Sequence, residues 1–151
     1  MCSIKIEPTD LKFIDAYYRI ETDCFDAEAF SKNQLVYLLT AYNIIALAAK
    51  TDLDVAGFII VQVETDDTEF GHIITLSVAQ KYRCRQVATR LLEEIEFLLK
   101  RRGIAECRLE VREDNYVAIS LYQKLGYQKI GKLKRYYGNA HGLYFKKTLQ
   151  L

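Results

Sequence analysis

The chain has 151 residues, half of them hydrophobic and 27% charged, with 7 Gly and 1 Pro. That composition excludes a disordered, collagen-like or low-complexity chain and suits one domain, residues 1–151, burying roughly 70% of its unfolded surface. The net charge of +1 divides unevenly: residues 1–80 carry 5 Lys/Arg against 13 Asp/Glu, and residues 81–151 carry 16 against 7. A basic half attracts phosphates, but its charges are spread among apolar residues rather than gathered in an arm, so no nucleic-acid partner is expected. No stretch approaches the ~18 apolar residues of a membrane helix. The segment Met1–Glu7 lacks a signal-peptide core, so a cytoplasmic protein without a membrane partner is expected. Cys2, Cys24, Cys84 and Cys107 form no CxxC pair and have no histidine at zinc-ligand spacing. Free thiols and no metal are the expectation.

Ser3–Glu7 reads as a first strand, ended by Pro8. Thr9 and Asp10 can cap a helix whose apolar positions are Phe13, Ile14, Tyr17 and Ile20. After the polar break at Asp26-Ala27-Glu28, Ser31 and Gln34 form a capping-box pattern ahead of Leu35, Leu38 and Leu39. Asn43–Lys50, Val55–Glu64 and Gly71–Ala79 are apolar, β-branched runs separated by short polar turns, the pattern of a three-stranded meander. In the third run His72, Ile74, Leu76 and Val78 alternate with Ile73, Thr75 and Ser77. Arg83–Arg102 is a long helix with Val87, Ala88, Leu91, Leu92, Ile95, Leu98 and Leu99 as its stripe and Gly103 as its C-cap. Ile104–Val111 is a strand, Asn115–Leu125 a shorter helix, and Tyr127–Lys134 and Leu143–Leu149 two closing strands. The order βααβββαβαββ predicts an α/β (α+β) fold. Its sheet is mixed and mostly antiparallel, with one right-handed parallel crossover.

Residues 76–92 carry the most chemistry. A strand ends, a loop bearing Lys81, Arg83 and Arg85 follows, and an amphipathic helix begins. Such a turn aims free backbone N–H groups and the positive helix end at one point, which suits a pyrophosphate. A plain helix start with solvated arginines has the same pattern.

The stretch resembles motif A of the GNAT acetyltransferases, with Val78, Tyr82, Arg83, Ala88, Leu91 and Leu92 matching. Downstream, Leu109-Glu110-Val111-Arg112, Asn115, Ala118, Leu121-Tyr122 and Gly126-Tyr127 resemble a second motif of that family. With Tyr136-Tyr137 they point to its protein N-terminal acetyltransferase branch, of RimI type in bacteria, with an archaeal counterpart. The resemblance implies the GNAT fold, acetyl-CoA as cofactor, no metal, and a protein or peptide N-terminus as acceptor, a ribosomal protein among the candidates. A monomer or weak homodimer is expected. Acetylation of a small amine, such as a polyamine or aminoglycoside, is the alternative, suggested by Glu21, Asp23, Asp26 and Glu28. A non-catalytic acyl-CoA-binding module is the third reading. It arises because Gln86 replaces the central motif glycine and Cys84 the glycine two residues earlier. As a helical residue, Gln86 would still offer its N–H.

Roles follow from the resemblance. The cofactor-binding residues are Leu76, Ser77, Val78, Arg83, Cys84, Arg85, Gln86, Val87, Ala88, Thr89, Asn115 and Tyr122. The Val78 N–H is the expected oxyanion donor. A base is required because an α-amine with pKa near ~8 is mostly charged at neutral pH. Glu110 stands at the base position, although Glu106, Arg108 and Glu110 also alternate as a solvated strand face would. His72 is the second candidate, able to relay a proton through water or to serve structurally. Tyr122 matches the general acid and also falls in an apolar helix stripe. Asn115 doubles as an N-cap. Phe25, Phe30, Tyr136 and Tyr137 are the expected walls of the acceptor site.

Overall fold

The computed structural model describes residues 3–150. The readings that touch Met1, Cys2 and Leu151 lie outside them. Strand β1 (Lys5–Pro8) leads through a 3₁₀ turn at Leu11–Phe13 into helix α1 (Ile14–Phe25). A second 3₁₀ turn, Asp26–Glu28, precedes α2 (Lys32–Thr40), which starts on the expected reciprocal capping box of Ser31 and Gln34. The meander is β2 (Ile44–Lys50), β3 (Val55–Thr65) and β4 (Glu69–Val78). Then come α3 (Val87–Arg101), β5 (Glu106–Arg112), α4 (Tyr116–Lys124), β6 (Gln128–Leu133) and β7 (Gly142–Thr148). The Asn115 side chain accepts from the Ala118 N–H and so caps α4.

The strands form one sheet in the order β1-β2-β3-β4-β5-β7-β6, antiparallel except for β4 and β5. The fold is thus the expected mixed α/β arrangement. One sheet face packs on α3, where Leu91, Leu92, Ile95 and Leu99 are fully buried against Ile59, Val61 and Leu109. Burial of each such side chain is worth about 1.5–3 kcal/mol. The other face packs on α1 and α2 through Tyr17, Ile20 and Leu35 against Ala48, Phe58 and Ile60.

Two local features depart from the sequence expectation. The β3–β4 register passes from Ile60–Thr75 to Val61–Ile73, so Ile74 is an extra residue in β4. This bulge inverts the alternation of that strand. Gly71 and Ile73 face α3 before it, and Leu76 and Val78 face α3 after it, while Thr75 and Ser77 turn to Glu21 on α1. The second departure is the start of α3. The helix begins at Val87 rather than Arg83, because Cys84 and Gln86 both have φ 62° and cannot belong to a right-handed helix.

Candidate active site

β4 and β5 pair only at Gly71–Cys107 and His72–Arg108, and then diverge. The register of β4 against β3 decides what the gap exposes. The Ala79 N–H donates to the Ala56 carbonyl at 2.8 Å, so by antiparallel alternation Ser77 also bonds toward β3. Leu76 and Val78 then turn their N–H and C=O groups to the side that β5 has left. The Val78 carbonyl accepts from Arg83 Nε at 3.3 Å and from Cys24 Sγ at 3.4 Å. Its N–H has no strand opposite it. Ser77 is different from its neighbours: it is fully buried and its hydroxyl donates to Glu21 at 3.0 Å.

Past the strand end, Gln80–Tyr82 forms a 3₁₀ turn anchored by the Tyr82 hydroxyl on Asp54 at 2.8 Å. The first backbone bond of α3 runs from the Arg90 N–H to the Gln86 carbonyl, at 3.0 Å. None of the N–H groups from Cys84 through Thr89 donates a well-formed hydrogen bond among the described residues. Left-handed residues at Cys84 and Gln86 interrupt this run ahead of a helix N-terminus, a geometry that suits an anion. Arg85 is exposed and makes no ion pair among the described residues. The other basic side chains are engaged: Arg83 with Val78 and Cys24, Arg90 with the Ile4 carbonyl at 2.9 Å, Lys81 with Asp54. The Val87 side chain is core, so it can offer only its N–H. The donor set fits a pyrophosphate such as that of acetyl-CoA.

A cleft of about 890 Å³ opens where the strands part, lined among others by Phe25, Phe30, Glu110, Tyr122, Tyr136 and Tyr137. Leu76 and Asn115 also border it. Glu110 is held from behind: His72 Nε2 lies 2.7 Å and 3.0 Å from its two oxygens. His72 Nδ1 lies 3.3 Å from Glu64. Burial pulls the imidazole pKa down, but the hydrogen bond and charge of Glu110 and the charge of Glu64 outweigh it, against some opposition from Arg108. The balance is raised above the ordinary value. His72 does not line the cleft; it stands behind Glu110. The Tyr136 hydroxyl donates to Glu110 at 3.4 Å, and its ring meets Tyr137 edge-on at 5.0 Å.

Tyr122 lies in the core, as its place in the apolar stripe of α4 implies, and it also borders the cleft. Its ring is buried and packs edge-on to Tyr127 at 5.7 Å. Its hydroxyl makes no hydrogen bond among the described residues, and burial holds its pKa above the ordinary range. A tyrosine so placed stays protonated.

Two further residues hold the cleft together through partners that single-sequence reading does not supply. Arg112 donates to Glu28, to Asp114 at 2.8 Å and to Asn139 at 3.2 Å, joining three loops. Glu21 is buried, and its carboxylate accepts from Thr75, Ser77 and the Phe30 N–H. Glu64 was also unmarked, since only the register of three strands brings it to His72.

Residues 13–127 match the Acetyltransferase (GNAT) family. An N-alpha-acetyltransferase of Saccharolobus solfataricus is 32% identical over 116 residues, covering 70% of each chain. A spermidine N(1)-acetyltransferase of Thermoplasma acidophilum is 31% identical over 105 residues, covering 67% of this chain and 63% of that one. The crystal structure of the ribosomal-protein-S18-alanine N-acetyltransferase from Escherichia coli superposes with a TM-score of 0.87 over 99% of this chain and 96% of that one. The identity there is 23%, so that likeness is one of fold.

Proposed function

The chain belongs to the acetyltransferase (GNAT) family, and from that membership we propose that it acetylates the N-terminal α-amine of a protein or peptide. It is an acyltransferase that uses acetyl-CoA and acts on an amine. The observation that carries the acceptor assignment is the state of the cleft's carboxylates. Glu21 is buried among three donors, and Glu28 and Asp114 are both taken up by Arg112. Glu110 alone among these acids is held by an imidazole and a tyrosine hydroxyl rather than by an arginine or three buried donors, and it stands next to tyrosines that offer flat, amphipathic walls for a peptide. One ammonium is provided for, rather than the several of a polyamine.

Acetyl-CoA supplies the activated acyl group as a thioester. The N–H groups from Cys84 through Thr89 and the Arg85 charge are suited to its pyrophosphate, and the free edge of Leu76 and Val78 to its arm. Glu110 removes the proton from the acceptor ammonium, work that typically contributes 10²–10⁴-fold. The Val78 N–H is the donor to an oxyanion. Tyr122 holds the proton that a departing thiolate needs.

A second reading, acetylation of a small polyamine, is favoured by the relative named for spermidine. A thiol-release assay separates the two. The chain, acetyl-CoA and a panel of peptides with different first residues are compared with spermidine and an aminoglycoside. Turnover on peptides with free N-termini, lost when the N-terminus is blocked, is the expected result. Turnover on the polyamine alone overturns the proposal, and binding of acetyl-CoA without turnover on any amine would make the chain a non-catalytic binder.

A further inference from the structure

Glu64, His72 and Glu110 form a carboxylate–imidazole–carboxylate line across three adjacent strands. His72 sits opposite Gln62 on β3 and Arg108 on β5. Glu64 and Glu110 are each two residues further along, and residues two apart share a sheet face. Because β3 runs against β4 and β5 runs with it, Glu64 lies toward the start of β4 and Glu110 toward its end. The imidazole is between them, 3.3 Å from Glu64 through Nδ1 and 2.7 Å from Glu110 through Nε2. Side-chain exposure rises along the line, from 14% at Glu110 through 21% at His72 to 33% at Glu64. Glu110 borders the cleft, whereas the other two do not.

We infer that His72 and Glu64 are the proton exit of Glu110, leading from the floor of the cleft to solvent near the start of β4. The inference rests on the reading of Glu110 as the base. A base that has taken a proton from the acceptor must lose it before the next turnover. An acceptor seated between Phe25, Phe30 and the two tyrosines covers the side of Glu110 that opens on the cleft. The rear route stays open. The proton on the Glu110 carboxyl passes to Nε2, giving an imidazolium, and the Nδ1 proton leaves to the Glu64 carboxylate and then to water. Exchange of the ring with solvent restores the starting tautomer. No bond other than O–H and N–H forms or breaks. The charged groups that face His72 are Glu64 from β3 and Glu110 and Arg108 from β5, and Arg108 is itself paired with Glu106 at 2.6 Å. Glu64 and His72 act through Glu110 and touch no substrate.

Two measurements on the full chain test this. The first is the pH titration of the imidazole nitrogens by NMR in wild type, Glu64→Gln and Glu64→Asp, without substrate. His72 and His141 are the only histidines, and His72→Gln assigns the signals. The His72 midpoint is expected to move to lower pH in Glu64→Gln and to return in Glu64→Asp. The second is turnover at saturating acetyl-CoA and peptide across a series of imidazole buffer concentrations. In dilute buffer Glu64→Gln is expected to lose about tenfold in kcat, less than the ~10²–10⁴ due to a base itself. Concentrated buffer, which carries the proton away by another route, restores it, and the peptide KM stays within about twofold, since Glu64 is outside the cleft. An unchanged His72 midpoint in Glu64→Gln, wild-type turnover in dilute buffer, or a loss that no buffer restores overturns the exit. If wild type acetylates no amine, the function reading is what has failed. The titration then decides alone: a lowered midpoint rescued by Asp supports the coupled line, and an unmoved one overturns it.

Discussion

Cys84 and Gln86 stand on either side of Arg85, and both hold left-handed backbone at φ 62°. The pair turns the chain so that its N–H groups converge ahead of α3. Left-handed backbone costs a residue with a Cβ roughly 1–2 kcal/mol, while glycine's added freedom in the unfolded chain costs about 0.5–1 kcal/mol. Gln86→Gly is therefore expected to leave stability unchanged or raise it by up to about 1.5 kcal/mol, read as an equal or higher Tm. Its acetyl-CoA affinity by calorimetry should stay within about tenfold, or ~1.4 kcal/mol, because the backbone donors remain. A hundredfold gain in affinity would mean that the natural side chain obstructs the loop, and a collapse would make it a phosphate ligand.

Tyr122→Phe keeps the ring against Tyr127 and removes a hydroxyl that bonds to nothing among the described residues. Fold and acetyl-CoA affinity should be retained. Turnover should drop by ~10²–10⁴-fold, the usual loss on removing a general acid. Wild-type kcat in this variant would leave Tyr122 a core residue only.

The element order, the capping box at Ser31 and the positions of Glu110 and Tyr122 were legible because each rests on local periodicity or a local motif. What was not legible depends on backbone geometry or on distant strands. The four residues Arg83, Cys84, Arg85 and Gln86 ahead of the true start of α3 read as helix because Arg, Cys and Gln carry no mark of left-handed φ, as glycine or asparagine would. That misplacement makes Gln86→Gly look destabilising from sequence, through lost helix propensity, and the observed φ reverses the sign. The bulge at Ile74 likewise leaves no trace in an unbroken apolar alternation. Glu64 sits at the polar end of β3, where a charged residue is unremarked until the register sets it beside His72.

The state of His72 makes stability depend on pH. Its pKa is raised above the ordinary 6.5 by Glu110 and Glu64, in spite of burial. A raised value in the folded chain means that the imidazolium stabilises the fold fully below about pH 6.5, and that this contribution is lost as pH rises through the folded value. Thermal melts of wild type and His72→Gln at paired pH values check this. The margin of wild type over the variant should shrink from about pH 6 to about pH 8.5. A margin that grows with pH would show that the fold prefers the neutral ring.

Gly57 on β3 connects packing to the candidate site at the end of β4. A Cβ there would lie 2.7 Å from the Ser77 carbonyl oxygen, 3.3 Å from the Val78 Cα and 3.3 Å from a Val87 methyl. Two of those neighbours are backbone in β4, and the third opens α3. The two backbone atoms cannot rotate away, and the nearer is at 2.7 Å, so the added methyl must push the end of β4. Overpacking of this kind costs about 1–3 kcal/mol. Gly57→Ala should therefore lower Tm and also weaken acetyl-CoA binding, since Val78 and the free N–H run move together with those elements. Gly71→Ala supplies the control. Its Cβ would meet the Leu99 methyls at 2.7 Å and 3.0 Å and a Val61 methyl at 3.2 Å, all side-chain atoms remote from the loop. That variant should lose stability and keep its affinity for acetyl-CoA. Equal losses of affinity in both variants would show that binding follows general stability rather than the position of the β4 end.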